Sequence, residues 1–417
     1  MNKNNILLSK FANFNVKGLK RANNVFIIGS KGIPSTYGGY ETFVDKLTEY
    51  NRHKKDIQYF VACKANGKGV TETTKNREPI FEYNGAICFK VSVPHVGSAE
   101  AIFYDCNSIE CVLQFIKENN ISSPIIYVLA CRIGPWTKKY VKQIHTLGGK
   151  FYVNPDGHEW MRSKWSKPVR NYWKFSERLM VKYADLLICD SKNIETYICD
   201  TYKKYNPKTK YIAYGAETTK SILEDDDISL KAWFEKFAIK PNLYYLIVGR
   251  FVPENNYETM IREFMCSNTN KDLVIITTKN DSLYNELETK LSFSKDKRIK
   301  FVGTVYDKEL LKKIREKAFA YLHGHEVGGT NPSLLEALGS TELNLLLDVG
   351  FNKECAEDGA LYWNKDMGNL ASLIDQSERM NKELRNHFGN IAKKRIENFY
   401  SWDYISKEYE NTFLNKE

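Results

Sequence analysis

The stretch from His323 to Glu336, HGHEVGGTNPSLLE, is where residue types and spacing first suggest chemistry. A Gly-Gly turn, Gly328 and Gly329, runs into Thr330, Asn331 and Pro332, and Pro332 opens an apolar run that ends at Glu336. Proline is favoured in the first turn of a helix, because the N–H it lacks would be unpaired there anyway. The backbone amides of Gly328 to Asn331 and the positive end of a helix dipole are therefore expected to converge on one spot, which suits an anion or a hydroxyl-rich group. Glu336, further along that helix, offers a carboxylate that accepts hydrogen bonds from sugar hydroxyls. A plain strand–turn–helix crossover without a ligand would carry the same pattern, so other segments have to decide.

Four other segments end strands in the same way. The loop GSKGIPSTYGGYETF places Gly32, Tyr37, Gly38 and Gly39 ahead of a helix. It has neither GxGxxG nor a Gly-Lys-Ser/Thr helix start, which argues against a Walker-type nucleotidase, but Gly38 and Gly39 allow close backbone approach to a phosphate or a sugar. The segment NPDGHEWMRSKW sets Asp156, His158 and Glu159 beside Trp160, Arg162, Lys164 and Trp165, with Arg170 and Trp173 following. Carboxylates and flat aromatic faces suit a carbohydrate, and the cations suit a phosphate. An aromatic-stapled helix with a solvated basic face fits these residues as well. In LIVGRFVPENN a strand ends at Gly249, Arg250 follows at its mouth, and Glu254 is expected to start a helix. Arg250 there could grip a diphosphate with two parallel hydrogen bonds, or simply cap or salt-bridge the helix. Gly303 and Tyr306 end another strand, where a base could stack on the phenol ring or the ring could be surface filler.

Other chemistries find less support. The spacing of Asp156, His158 and Glu159 is no zinc signature, and no metal is expected. No GxSxG elbow is present, which argues against a serine hydrolase. The nine Cys never form a CxxC pair, which fits a reducing, cytosolic compartment. A formal charge of +10 and a pI near 8.9 favour anionic partners or only a solvated surface. No apolar run approaches the roughly 18 residues of a membrane span, and no secretory signal is visible.

These segments need a scaffold that brings strand ends together. Apolar runs at Val25–Gly29, Ile57–Cys63, Ala86–Val91, Ile125–Leu129, Phe151–Asn154 and Leu186–Cys189 alternate with helical patterns. The alternation restarts at Tyr244–Val248, Leu273–Thr277, Ile299–Val302 and Phe319–Leu322. Buried strands alternating with helices imply a parallel α/β sheet in each half, with ligands at the carboxyl ends of the strands. The expected organisation is an N-terminal extension over 1–22, a first Rossmann-like domain over 23–217, an acidic linker over 218–232 and a second domain over 233–399. The segment 400–417 is expected to return to the first domain as a helix.

Taken jointly, IIGSKGIPSTYGGYETFV, NPDGHEW with RSKW, YGAE (Tyr214–Glu217), VGRFVPENN and HGHEVGGTNPSLLEAL resemble retaining glycosyltransferase family 4. Within it they are similar to a bacterial rhamnosyltransferase branch of capsule and cell-wall polysaccharide synthesis. The resemblance implies an α/β fold of the GT-B type: two doubly wound Rossmann-like domains facing a central cleft, with the C-terminal helix crossing back. It implies a nucleotide-sugar donor, dTDP-L-rhamnose, on the C-terminal domain, and as acceptor a polyprenyl-diphosphate-linked saccharide at an anionic membrane surface. Neither a cofactor, nor a metal, nor nucleic acid is expected.

By the same resemblance Arg250 matches a diphosphate-binding arginine, Glu336 a ribose-binding glutamate, and Gly329, Thr330 and Asn331 an amide-donating turn near the donor sugar. Gly38 and Gly39 match glycines near the phosphates and acceptor. His158 would orient the donor sugar, and Asp156 or Glu159 the acceptor. The chain departs from the wider family at Asn255, where a lysine is usual, and at Gly328, where a glutamate is usual and Glu326 lies two residues earlier. Lys10, Lys17, Lys20 and Arg21 would permit contact with anionic lipid at the inner face of a bacterial membrane. Two rivals stand beside this reading: a two-domain sugar-nucleotide epimerase, and a non-enzymatic nucleic-acid binder, which the dispersed basic residues disfavour.

Overall fold

A computed structural model describes residues 23–35, 38–67, 70, 75–162 and 165–416. The chain divides into two compact units, one of Met1–Tyr214 with Trp402–Glu417 and one of Gly215–Ser401.

In the first unit, β1 (Asn23–Ile28), β2 (Ile57–Lys64), β3 (Ile80–Tyr83), β4 (Ala86–Val91), β5 (Ile125–Leu129), β6 (Lys150–Asn154), β7 (Leu186–Cys189) and β8 (Thr209–Tyr211) form one sheet. Its order is β3-β4-β2-β1-β5-β6-β7-β8, parallel throughout except for β3, which pairs antiparallel with β4 at the edge. The central strands read as unbroken apolar runs because helices cover both faces of the sheet, and β1 and β5 are buried almost end to end. The helix Trp402–Leu414 packs on this unit: Phe413 meets Tyr127 at 5.8 Å and Tyr59 at 6.2 Å, and Asn51 Nδ2 donates to Ser406 Oγ at 2.7 Å. The expected return of the last helix is thus found.

The second unit holds β9 (Tyr244–Val248), β10 (Asp272–Ile276), β11 (Ile299–Gly303), β12 (Ala320–His323), β13 (Asn344–Leu347) and β14 (Leu361–Trp363) in the all-parallel order β11-β10-β9-β12-β13-β14. Numbered from its own first strand, this is the doubly wound order 3-2-1-4-5-6. The chain leaves β9 toward one side of the sheet and β12 toward the other, so their carboxyl ends flank the point where the winding reverses. In open α/β sheets ligands bind at that point. β1 and β5 flank the equivalent point in the first unit.

Two expectations change. The acidic run is not a solvated linker throughout. Asp227 caps the helix Ile228–Phe237 by accepting from the Ser229 amide at 2.8 Å, and Asp225 pairs with Lys313 at 2.9 Å and Lys317 at 2.6 Å. The run therefore neutralises the basic face of the helix Lys308–Glu316. Nor does Glu254 open a helix. Pro253–Asn255 form a 3-10 turn, Asn256 adopts a left-handed φ of 53°, and the helix starts at Tyr257. Asparagine tolerates this conformation, and its Nδ2 is anchored on the Gly324 carbonyl at 2.8 Å.

Candidate functional site

In the second unit the loops after β9 and β12 are tied together by side chains. Tyr321 OH and Ser333 Oγ both donate to the Val248 carbonyl, at 3.1 and 3.0 Å, so the last residue of β9 is held from β12 and from the helix Pro332–Ser340. Tyr257 OH donates to the Gly249 carbonyl at 3.2 Å. Arg250 follows, exposed, and no carboxylate is paired with it among the described residues. Asn255 Nδ2 donates to the Arg250 carbonyl at 2.7 Å, and Asn255 Oδ1 lies 2.7 Å from His325 Nδ1. The Glu326 amide donates to the Glu254 carbonyl at 3.1 Å, while the Glu326 carboxylate pairs with Lys365.

The turn before the helix Pro332–Ser340 differs from the simple anion cradle that the sequence suggests. Asn331 Oδ1 accepts from the amides of Ser333 at 2.9 Å and Leu334 at 3.3 Å, and the Asn331 carbonyl accepts from Leu335 at 3.1 Å. With Pro332 having no N–H, the first turn of this helix is satisfied from within. Any ligand must therefore be held by the Gly328–Thr330 backbone and by side chains rather than by the helix terminus. Gly328 has φ +118°, a conformation that a Cβ would strain, and Gly328, Gly329 and Thr330 are buried.

Glu336 Oε2 lies 2.6 Å from Nη2 of Arg315, a guanidinium that is almost fully buried while the Glu336 carboxylate is 41% exposed. The same nitrogen reaches Ser333 Oγ at 3.3 Å. Arg315 thus fixes one carboxylate oxygen and leaves the other face of Glu336 open. Arg315, Tyr321 and Ser333 escape sequence reasoning, because a basic residue in KELLKKIRE reads as part of a solvated face until packing shows otherwise. Gly303, with φ +78° and open space at its missing Cβ, ends β11, two strands from β9 and so about 10 Å away. Tyr306 beside it is 79% exposed.

In the first unit the loops after β1 and β5 are locked by Arg132. Its Nη1 donates to the carbonyls of Gly29 and Leu129 at 3.0 Å and pairs with the buried Asp105 at 3.1 Å. Burial pushes the Asp105 carboxyl up to about 6 against the pull of Arg132, which remains charged. Gly29 must be glycine here, since a Cβ would sit 2.4 Å from the Leu129 oxygen. Gly32 likewise lies against Cys63, where a Cβ would sit 2.6 Å from the Cys63 Sγ. At Gly38 and Gly39 the helix start is occupied by an acid: Glu41 Oε1 accepts from the Lys31 amide at 2.7 Å, and its other oxygen fills the space at the Gly38 Cβ position. A carboxylate there suits hydroxyl donors and opposes a phosphate. Tyr37 and Lys164 lie outside the described residues.

After β6 the backbone takes left-handed φ at Asp156 (60°), Gly157 (70°) and His158 (50°) in succession. Strain of this kind, where non-glycine residues keep such angles, collects at functional sites. Asp156 stands 4.0 Å from Arg162, and its amide donates to Asn154 Oδ1 at 2.8 Å. The His158 ring lies 4.0 Å from that of Tyr197, and burial lowers its proton affinity, so it is a neutral imidazole at pH 7. Glu159 is spent on its neighbours: it pairs with Arg162 Nε at 2.5 Å and accepts from Trp165 Nε1 at 2.9 Å. Trp160 donates to Tyr197, whose hydroxyl in turn donates to Glu177 at 2.6 Å. Glu159, Trp160 and Arg162 therefore staple this loop.

Comparison with known proteins agrees with this architecture. Residues 22–217 match a family described as domain of unknown function DUF1972. An uncharacterized glycosyltransferase of Methanocaldococcus jannaschii is 23% identical over 391 residues, 90% of this chain and 94% of that one. The O-antigen chain mannosyltransferase RfbU of Salmonella typhimurium is 22% identical over 236 residues, 55% of this chain and 63% of that one. Among solved structures, sucrose-phosphate synthase from Thermosynechococcus elongatus superposes with a TM-score of 0.74 at 14% identity, over 94% of this chain and 98% of that one. The chain has the GT-B glycosyltransferase fold, and its distant sequence relatives carry glycosyltransferase names.

His323, at the end of β12, provides a test of the packing beneath this site. It is buried, its Nε2 has no hydrogen-bond partner among the described residues, and burial followed by the neighbouring His325 pushes its imidazole down to about 3. In an unfolded chain it would titrate near 6.5. Between those values the unfolded state binds the extra proton, so His323 favours folding above about pH 6.5 and that contribution is lost as the pH falls. From pH 7.5 to 5.0 the loss is about 2 kcal/mol, at roughly 1.4 kcal/mol per unit below 6.5. Urea unfolding at the two pH values should show a loss smaller by about that amount in His323→Leu; equal losses in both proteins would contradict a neutral, buried His323.

Proposed function

We propose that the chain is a retaining hexosyltransferase that moves L-rhamnose from dTDP-L-rhamnose to a hydroxyl of a lipid-linked saccharide in surface polysaccharide synthesis. The observation that carries the reading is the meeting of Arg250, the Gly328–Asn331 turn and Glu336 at one winding reversal of the second unit. A guanidinium, a glycine-rich backbone turn and an open carboxylate are the groups needed to hold a diphosphate next to a hydroxylated sugar. The GT-B fold and the glycosyltransferase relatives support the same reaction class.

In this reading Glu336 accepts from the pentose of the nucleotide, steadied by Arg315, and Tyr306 offers its exposed ring to the base. As the bond to the sugar breaks, negative charge gathers on the leaving diphosphate. Arg250 and the turn backbone stabilise that charge more than they stabilise the bound donor, and this difference lowers the barrier. The acceptor hydroxyl attacks the same face, and the leaving phosphate takes its proton. No metal is required, because the chain itself supplies the charge. In the first unit Asp156 and Glu41 are the carboxylates suited to acceptor hydroxyls, and neutral His158 suits the donor sugar. Glu159, already engaged by Arg162 and Trp165, keeps the shape of the loop.

A second reading, transfer of mannose from its nucleotide, is favoured by the likeness to RfbU. Thermal unfolding with dTDP-, UDP- and GDP-sugars separates the two. A ligand present at about 100 times its dissociation constant stabilises by roughly 2.7 kcal/mol. dTDP-L-rhamnose should raise the midpoint most and support transfer to a lipid-linked acceptor, and Arg250→Ala should slow that transfer about 10²-fold or more. Stabilisation by a GDP-sugar alone would select the second reading, and stabilisation by no nucleotide sugar would overturn both.

The acceptor places the reaction at an anionic membrane surface. No helix among the described residues is long and apolar enough to cross a membrane. Contact would fall to cations such as Lys10, Lys17, Lys20 and Arg21, which lie outside the described residues. The protein should float with anionic liposomes at low salt and be released at high salt; failure to float at low salt would contradict membrane contact.

A further inference from the structure

Two neighbouring helices of the first unit, Gly134–Thr146 and Lys167–Tyr183, present an outer surface of one charge. They touch where the Gly134 amide donates to Ser176 Oγ at 2.7 Å, and a Cβ on Gly134 would sit 2.4 Å from the Ser176 Cα. Lys138, Lys139 and Lys142 are exposed on the first helix, and Lys174, Arg178 and Lys182 on the second. Spacings of four keep Lys138 with Lys142, and Lys174 with Arg178 and Lys182, on one face of each helix. The one carboxylate within either helix, Glu177, is buried and accepts from Tyr197 at 2.6 Å and Tyr202 at 2.5 Å. Carboxylates at the border are engaged: Glu110 accepts from Tyr140 OH at 3.2 Å, and Asp185 pairs with His145 at 2.9 Å.

Large apolar side chains stand in the same surface. Trp136, two residues beyond Gly134, is 39% exposed, and Phe175, next to Ser176, is 44% exposed. Met161, 50% exposed, follows Trp160, whose ring lies 4.7 Å from Lys174 Nζ. The Arg178 guanidinium lies 5.3 Å from the Phe175 ring. A surface shaped for solubility alone would mix both signs of charge and keep such groups inside. Cations around exposed aromatic and thioether groups fit the boundary of an anionic bilayer, where headgroups attract the cations and the apolar groups leave water.

We propose that this two-helix face docks on an anionic lipid bilayer, with Trp136, Met161 and Phe175 entering the headgroup boundary and the cations resting on lipid phosphates. The proposal rests on the lipid-linked acceptor reading above and deepens it by naming the surface. Position supports it. Trp136 lies in the first helical turn after β5, and Met161 lies in the loop after β6, five residues beyond Asp156. Both are at the carboxyl end of the first sheet, the end that carries Asp156 and Glu41. A saccharide whose diphosphate stays in the headgroup layer would reach these carboxylates without its lipid leaving the bilayer. A polynucleotide would use the cations too, but it offers Met161 and Phe175 no apolar phase to enter.

Flotation of the full chain at low salt tests this, with vesicles of equal parts phosphatidylcholine and phosphatidylglycerol and with phosphatidylcholine alone. Wild type should float with the anionic vesicles only. Lys138→Glu/Lys142→Glu/Lys174→Glu should bind them about tenfold more weakly or worse, since each cation near such a surface is worth about fivefold. Trp136→Ser/Met161→Ser/Phe175→Ser keeps the charge and should also bind about tenfold more weakly. Lys231→Glu/Lys240→Glu/Lys394→Glu makes the same charge change on exposed residues of the second unit and should float like wild type. Unfolding midpoints should stay near that of wild type, because every substituted side chain is exposed. Wild-type flotation by either first-unit variant, or an equal loss in the second-unit variant, would overturn the inference while leaving membrane contact through other cations intact. Failure of wild type to float would overturn membrane contact, and this inference with it. Tighter binding of wild type to polyuridylate than to the anionic vesicles, lost in the same first-unit variants, would assign the face to nucleic acid instead.

Discussion

Everything at the candidate site depends on how β9 is tied to β12. These neighbouring parallel strands send their continuations to opposite sides of the sheet, so the chain cannot close over their carboxyl ends. Left alone, the last carbonyls of β9 would face that opening unpaired. Tyr321 and Ser333 satisfy Val248, and Tyr257 satisfies Gly249. With those carbonyls held, Arg250 emerges at a fixed height beside Asn255, and the glycine turn lies across from it. The same residues join strand, turn and helix: Ser333 also touches Arg315, which aims Glu336.

The electrostatics divide the two units. In the second, acids near the winding reversal are paired, Glu326 with Lys365 and Glu336 with Arg315, while Arg250 has no carboxylate paired with it among the described residues. That balance suits a polyanion. In the first, the buried Arg132 is matched by Asp105, and Glu41 turns its carboxylate back on the glycine loop. That balance suits hydroxyl groups. One kind of scaffold thus presents two chemically different openings, as expected for a reaction joining an activated anionic donor to a neutral hydroxyl.

The sequence exposes the scaffold well and the wiring poorly. Central strands such as β5 and β9 are legible because burial on both faces enforces continuous apolar runs. β3 and β8 are edge strands of four and three mostly half-buried residues, too short for a period to mark them. Arg250, Gly328, Asn331 and Glu336 are legible because strand ends and helix starts have recognisable residue types. Two of them act differently from what type alone suggests. Asn331 caps its own helix, which removes the open helix terminus, and Glu336 shares its carboxylate with a buried arginine. The Asn255–His325 pair spans 70 positions and has no local signature. Glu159 illustrates the opposite error, since an acid among aromatics reads as a sugar ligand until Arg162 and Trp165 are seen to occupy it.

The central claim is that the diphosphate of a sugar nucleotide is held where β9 and β12 end. Hydrogen–deuterium exchange, with and without a saturating nucleoside diphosphate, examines it directly. The account predicts slowed exchange confined to residues 249–257 and 324–336 of the second unit, with the loops at 29–35 and 154–162 of the first unit unchanged. Protection of the first-unit loops instead, or of neither pair of segments at saturation, would contradict it.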